Sequence, residues 1–219
     1  MKLMSFTKNG ITGFGAINGD SVMDFSHKFK DLKTMLASGS TLKEGNLIPL
    51  VEVNYLPVIP NPEKIICVGV NYASHIAEMG REPGEFPLLF TRFANSQVGH
   101  NEPMLVPKES EKFDYEGELA LIIGKSGKRI SEKNAMNYIA GYSCYNDGSV
   151  RDWQRHTSQF TAGKNFTGTG GFGPWMVSSD EINDPSELQI ETRLNGTVMQ
   201  SAPISDLVFN VPKLIAYIS

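Results

Sequence analysis

Two carboxylates open a strand that ought to be buried. The segment Asp114-Tyr-Glu116-Gly-Glu118-Leu-Ala-Leu-Ile-Ile-Gly124 has the apolar run and glycine boundary of an interior strand. Strand side chains alternate between faces, so Glu116 and Glu118 share one face with Ala120 and Ile122. Two neighbouring anions leaving water together is unfavourable unless a cation or protons compensate them. A hard divalent ion is the simplest compensation, because it prefers carboxylate oxygen and leaves positions for water or substrate. Asp147 ends a second apolar and aromatic run, Gly141-Tyr-Ser-Cys-Tyr-Asn-Asp147, and would be the third ligand. A structural reading stands beside this one. In it, Glu116 and Glu118 lie on the solvated end of an edge strand and Asp147 begins a turn. Spacing alone leaves both open.

The rest of the chain divides near Pro57-Val-Ile-Pro60-Asn-Pro62 into a leading unit, residues 1–60, and a larger one, residues 61–219. Residues 1–25 read as a β-meander with turns at Asn9-Gly10 and Asn18-Gly19, since Asn-Gly between apolar runs favours a tight hairpin. A helix over 29–37 follows, with Leu32, Met35 and Leu36 on one face and Gly39 as its stop. Residues 65–70 predict a buried strand, then a short helix capped by Ser74 and ended by Gly80. On that helix His75 and Glu78 are neighbours, which by spacing alone is an exposed polar pair. The loop 81–87 is expected to be a mobile lid. Arg92, in the next strand, would either meet an anionic substrate or pair with an acid.

Residues 132–138 predict a helix between the two carboxylate-bearing strands. Ser149-x-x-Asp152 resembles a capping box, and Arg151 and Gln154 share one face of the helix it would start. Arg151 is equally suited to a structural ion pair. Gly168-Thr-Gly170-Gly-Phe-Gly173 fits a dinucleotide fingerprint only on paper, because no strand immediately precedes it and Pro174 blocks the required helix; a flexible loop is expected instead. Asn195-Gly196 predicts a type I′ hairpin. Pro212 would be the first residue of a helix with Val211, Leu214, Ile215 and Ile218 at helical spacing.

Composition narrows the function. The 219 residues are 40% hydrophobic and 20% charged, ordinary for a globular protein. A net charge of −4 with no basic run gives no footing for nucleic acid. No apolar stretch reaches membrane-spanning length and no signal-peptide pattern opens the chain, so a cytoplasmic location with no membrane partner is expected. Cys67 and Cys144 are expected to be buried free thiols.

The ordered motifs Asp-x-Glu-Gly-Glu-Leu-Ala, Asn-Asp147-x-Ser-x-Arg151-Asp-x-Gln154 and Gly163-Lys164-Asn-Phe resemble the fumarylacetoacetate hydrolase family. The resemblance runs from about residue 62 to the end, and it implies an α+β, β-rich fold: a mixed β-roll behind a small N-terminal α/β domain. It implies Glu116, Glu118 and Asp147 as ligands of Mg²⁺ or Mn²⁺. Asn-Tyr-x-x-His75-x-x-Glu78 matches the family's water-activating pair, and Lys164 its active-site lysine. Arg151, Gln154 and Arg92 would face the substrate, although many members carry Lys in place of Arg92.

The activity so implied is hydrolysis of a C–C bond in a 2,4-dioxo acid of the acylpyruvate or fumarylpyruvate type, as in aromatic compound catabolism. Oxaloacetate decarboxylation and isomerisation of 2-hydroxyhepta-2,4-diene-1,7-dioate use the same chemistry and are the alternatives. A homodimer is expected on resemblance alone. Relatives continue beyond the final apolar helix into a further substrate-binding segment, so a C-terminally short roll, or a non-catalytic scaffold, is a further expectation.

Overall fold

The computed structural model describes all residues, 1–219. The chain opens with the expected meander: β1 (Lys2–Lys8), β2 (Ile11–Asn18) and β3 (Ser21–Asp24). Helix α1 (Leu32–Ser38) follows, capped by Asp31, whose carboxylate accepts from the Thr34 backbone N–H, and stopped by Gly39 in the left-handed region (φ 69°). Then come β4 (Asn46–Pro49), β5 (Asn54–Tyr55), β6 (Ile65–Gly69), helix α2 (Ala73–Glu78), β7 (Leu88–Arg92), β8 (Gln97–Val98) and β9 (Phe113–Asp114). The carboxylate-bearing pair is β10 (Gly117–Ile123) and β11 (Ile139–Asp147), joined through helix α3 (Glu132–Ala135) and a 3-10 turn to Tyr138. Strand β12 (Ser149–Val150) leads into the one-turn helices α4 (Arg151–Gln154) and α5 (Thr161–Lys164). The remainder is β13 (Gly170–Phe172), β14 (Met176–Ser178), the hairpin β15 (Gln189–Leu194) and β16 (Thr197–Pro203), and helix α6 (Val211–Ile218).

Ten strands join one mixed sheet, in the order β4-β3-β2-β1-β14-β11-β13-β8, with β10 added to β11 and β5 to β1. The expected α+β, β-rich roll is therefore the observed architecture. Strand β11 is its hub. Its first half pairs with β14 (Gly141↔Ser178), its second half with β13 (Asp147↔Gly170), and its other edge with β10. The leading unit is welded to this hub, because β1 pairs with β14 (Leu3↔Met176). The largest core cluster likewise crosses residue 60, packing Leu3, Phe14, Phe25 and Leu32 with Ile122, Phe172 and Met176.

Several local expectations are corrected. Residues 170–172 are a strand, β13, not a loop, because the backbone at Gly170 and Gly171 completes ladders with β11 on one side and β8 on the other. Strand β6 is only half-buried: it pairs with β7 alone in a two-stranded sheet, and Ile66 is exposed. Tyr72 occupies the N-cap of α2 without a side-chain cap, and Ser74 lies inside the first turn. Ser149 and Asp152 form no capping box; Ser149 Oγ donates to the Asp147 carbonyl, while Asp152 accepts from Ser110. Asn210, one residue earlier than expected, caps α6, so Pro212 sits at the second helical position. Both cysteines are free, with Cys67 half-buried and Cys144 exposed. The Asn195-Gly196 turn is as expected, with φ of 50° and 83°. No helix is long and apolar enough to cross a membrane.

Candidate active site

The register of β10 on β11 builds the site. Gly117 pairs with Asn146, which sets Glu116 opposite Asp147, and the Asp147 N–H donates to the Glu116 carbonyl at 2.8 Å. Opposed residues of an antiparallel ladder lie on one face, and so do i and i+2 along a strand. Glu116, Glu118, Tyr145 and Asp147 are therefore gathered on one surface of the hub.

Three cations meet them. Arg92 leaves β7 on the same face as Phe90, and both are buried. Its Nη1 donates to Asp147 Oδ1 (2.6 Å) and to the Gly148 carbonyl (3.0 Å), its Nη2 to Thr169 Oγ1 (2.9 Å) and its Nε to Ser96 Oγ (3.2 Å). Gly170 leaves it room: a Cβ there would lie 2.8 Å from Arg92 Nη2 and 2.4 Å from the Tyr145 hydroxyl. Arg151 grips Asp114 through Nε and Nη2 (2.9 and 2.8 Å) and pairs with Glu116 through Nη1. The β9–β12 register, Asp114↔Ser149, brings these partners close. Lys164 donates to Glu116 Oε2 (2.8 Å) and Asp147 Oδ2 (2.6 Å). Helix α5 can place it there because Gly163 lies against the Gln154 backbone, where a Cβ would come within 2.3 Å of the Gln154 nitrogen.

The expected site residues thus separate into two groups. Glu116, Glu118, Asp147, Arg151, Gln154, Lys164 and Arg92 form one cluster. Arg92 does not face a substrate. Its side chain is fully buried beneath Asp147 with its donors engaged by protein, so it positions that carboxylate. Arg151 is likewise committed to Asp114, Glu116 and the Gln154 Oε1 (3.1 Å). Gln154 is left with an amide NH₂ that donates to no protein group and is not sealed from the site. His75 and Glu78 form the second group on α2, both exposed, with His75 Nδ1 3.4 Å from Glu78 Oε2. Ser74 donates through its N–H (3.0 Å) and hydroxyl (2.6 Å) to Asp206, and the Asn71 side chain clasps the backbone N–H and carbonyl of Phe209.

Burial pushes the Glu118 carboxyl up to about 8, helped by the charges of Glu116 and Asp147 and opposed by Lys164. A cation beside it would relieve that strain, so the all-carboxylate donor set has the chemistry of a hard divalent site. As arranged, however, Glu116 and Asp147 turn their oxygens to Lys164, Arg151 and Arg92, and no three acidic, His or Cys side chains converge as a ready ligand set.

Sequence reasoning did not single out Asp114, Phe90 or Tyr145. Alternation would have found all three, since each stands two residues from a member of the cluster. The Tyr145 hydroxyl is buried and without a partner.

Comparison with known proteins places the chain in a family. The family model described as fumarylacetoacetate (FAA) hydrolase C-terminal matches residues 64–219. The oxaloacetate tautomerase YisK of Bacillus subtilis is 42% identical over 174 residues, which is 78% of this chain and 58% of that protein. The chain spans little more than half the length of the curated tautomerases it matches, from 53% to 58%. A fumarylacetoacetate hydrolase from Exiguobacterium antarcticum superposes with a TM-score of 0.88 at 32% identity, covering 100% of this chain and 81% of that one. A maleylpyruvate hydrolase from Sphingobium sp. SYK-6, solved with manganese(II) and pyruvate, gives a TM-score of 0.79 at 25% identity over 100% of this chain and 83% of that one. With residues 64–219 matched by that family model and the whole chain superposing on a solved hydrolase at 32% identity, the chain belongs to the fumarylacetoacetate hydrolase family.

Proposed function

We propose that this chain is an enzyme that interconverts the keto and enol forms of a small 2-oxo dicarboxylic acid of the oxaloacetate type. The carrying observation is the polar hub, in which Glu116, Glu118 and Asp147 are held on one strand pair, with Glu116 and Asp147 braced by Arg92, Arg151 and Lys164. The tautomerase names of the relatives at 38–42% identity favour this reaction over hydrolysis.

Tautomerisation removes a proton from C3 of the substrate, moves that electron pair into a C2–C3 double bond and delivers a proton to the 2-oxo oxygen. No bond between heavy atoms breaks. Glu116, Glu118 and Asp147 would hold a divalent cation, Mg²⁺ or Mn²⁺, which when bound supplies electrophilic polarisation of the 2-oxo group. Gln154, its oxygen fixed by Arg151, aims an amide donor at charge developing on that oxygen. His75, with Nδ1 turned to Glu78, keeps Nε2 for the C3 proton. Residues 1–60 would serve as a sheet extension backing the catalytic roll of residues 61–219, and the assembly as a homodimer.

C–C hydrolysis is the second reading, because the fold is shared with the maleylpyruvate hydrolase. It needs a water on His75, which stands on the exposed helix α2. The test follows the ultraviolet enol band of oxaloacetate with Mg²⁺, and in parallel the cleavage of an acylpyruvate. Faster enol decay without pyruvate release supports the tautomerase. Cleavage of the acylpyruvate with no effect on the enol band would transfer the assignment to hydrolysis.

A further inference from the structure

The charges of the hub close on themselves. Arg92, Arg151 and Lys164 face their three partner carboxylates Asp114, Glu116 and Asp147, so three positive groups meet three negative ones without any added ion. The two arginines are locked by further bonds: Arg92 to Ser96, Thr169 and the Gly148 carbonyl, Arg151 to both Asp114 and Gln154. Lys164 is different. Its ammonium bonds only oxygens of Glu116 (2.8 Å) and of Asp147 (2.6 Å to Oδ2, 3.4 Å to the carbonyl). Its stem is flexible where the guanidinium fork is rigid. The Phe90 ring, 5.0 Å from Nζ, offers a second resting place for the charge.

Building on the metal-dependent reading above, we propose that Lys164 is the hub's own counter-ion. Its ammonium stands between Glu116 and Asp147 in the position a divalent cation would take, and an ion enters only as Lys164 withdraws. The ion-free protein is thereby kept from leaving Glu116 Oε2 and Asp147 Oδ2, the oxygens the arginines do not reach, bare and adjacent. The released ammonium becomes available to the anionic substrate only after the ion is in place, which orders the two binding events.

Titration calorimetry with Mn²⁺ alone, with no substrate and no turnover, tests this on wild type, Lys164→Met and Lys164→Arg. Without its competitor the Met variant should bind Mn²⁺ about tenfold tighter or more, since an opposing charge at contact distance is removed. Its melting temperature should fall without the ion and rise further than wild type on adding it. Lys164→Arg, which keeps the charge on a stiffer fork, should bind more weakly than wild type. Equal Mn²⁺ affinity in wild type and Lys164→Met overturns the counter-ion role and leaves the metal site standing. Absence of binding in both removes the metal site and this role together. Should the Met variant not fold, amine labelling of the wild-type protein read by mass spectrometry decides. Lys164, 1% exposed at the side chain, should label faster with Mn²⁺ present, and unchanged protection overturns the proposal.

Discussion

The N–H of Asp147 donates to the carbonyl of Glu116 across the β10–β11 ladder, so the two acidic side chains are held side by side by backbone geometry. Their proximity does not depend on attraction between them; it is imposed by sheet register and then neutralised by Arg92, Arg151 and Lys164. That division between imposed crowding and supplied compensation gives the molecule its measurable weaknesses.

Arg92 compensates Asp147 from below with no access to water. Replacing one partner of a buried pair strands the other, at a cost of about 3–5 kcal/mol. Arg92→Met should lower unfolding stability by that order in urea denaturation. Arg92→Lys, which loses the fork to Thr169 and Ser96, should fall between Met and wild type.

Asn71 ties the strand ahead of α2 to Phe209 by two hydrogen bonds at 3.0 and 2.9 Å. Asn71→Ala should cost about 1–3 kcal/mol, because the Phe209 backbone groups lose their partners. Hydrogen exchange should quicken in α2 and leave β10 and β11 unaffected.

Asp206 carries a pH signature. The Ser74 hydroxyl and N–H hold its carboxyl below the usual carboxylate range. A depressed acid contributes stability above its unfolded pKa of about 3.9 and loses it as pH falls through the lower folded value. The stability-versus-pH curve should therefore drop more steeply below about pH 4 in wild type than in Asp206→Asn, measured by denaturant melts at matched ionic strength. Parallel curves would remove the Ser74–Asp206 clasp from the account of α2.

Ion removal should be visible without turnover. At a Mn²⁺ concentration of about 100 Kd, binding to the folded state alone adds about 2.7 kcal/mol. Chelation should lower the melting temperature accordingly, and Glu118→Gln, which deletes one of the three proposed ligands, should shrink that difference.

Gln154 tests the proposed chemistry. Gln154→Leu removes the amide donor, and loss of one such donor costs about 10²–10³ in kcat. Oxaloacetate enol decay should slow by that order with the substrate KM little changed. A change confined to KM would make Gln154 a binding group.

Much of the fold was legible because its signals are local. Asn-Gly turns defined the meander and the β15–β16 hairpin, and strand alternation put Glu116 and Glu118 on one face of the hub. What stayed illegible depends on contacts distant in sequence. Arg92 reads as a rim cation until Asp147, 55 residues away, is placed over it. The glycines at 170–173 read as a loop because nothing local announces that β8 and β11 will pair with them. The one-turn helix that carries Lys164 is set by the packing of Gly163 on Gln154, which no periodicity in four residues can reveal.

The pairing of Leu3 with Met176 also sets a timetable. A ribosome emits the opening meander long before it emits the strand that meander must join, and closing so long a loop is entropically slow. The hairpins of the first 25 residues can form at once, and Leu32, Met35, Val58 and Ile59 can cover part of their apolar side early, but the cover is complete only when Phe172 and Met176 emerge. The newborn chain must keep the rest of that side sheltered until strand β14 is made.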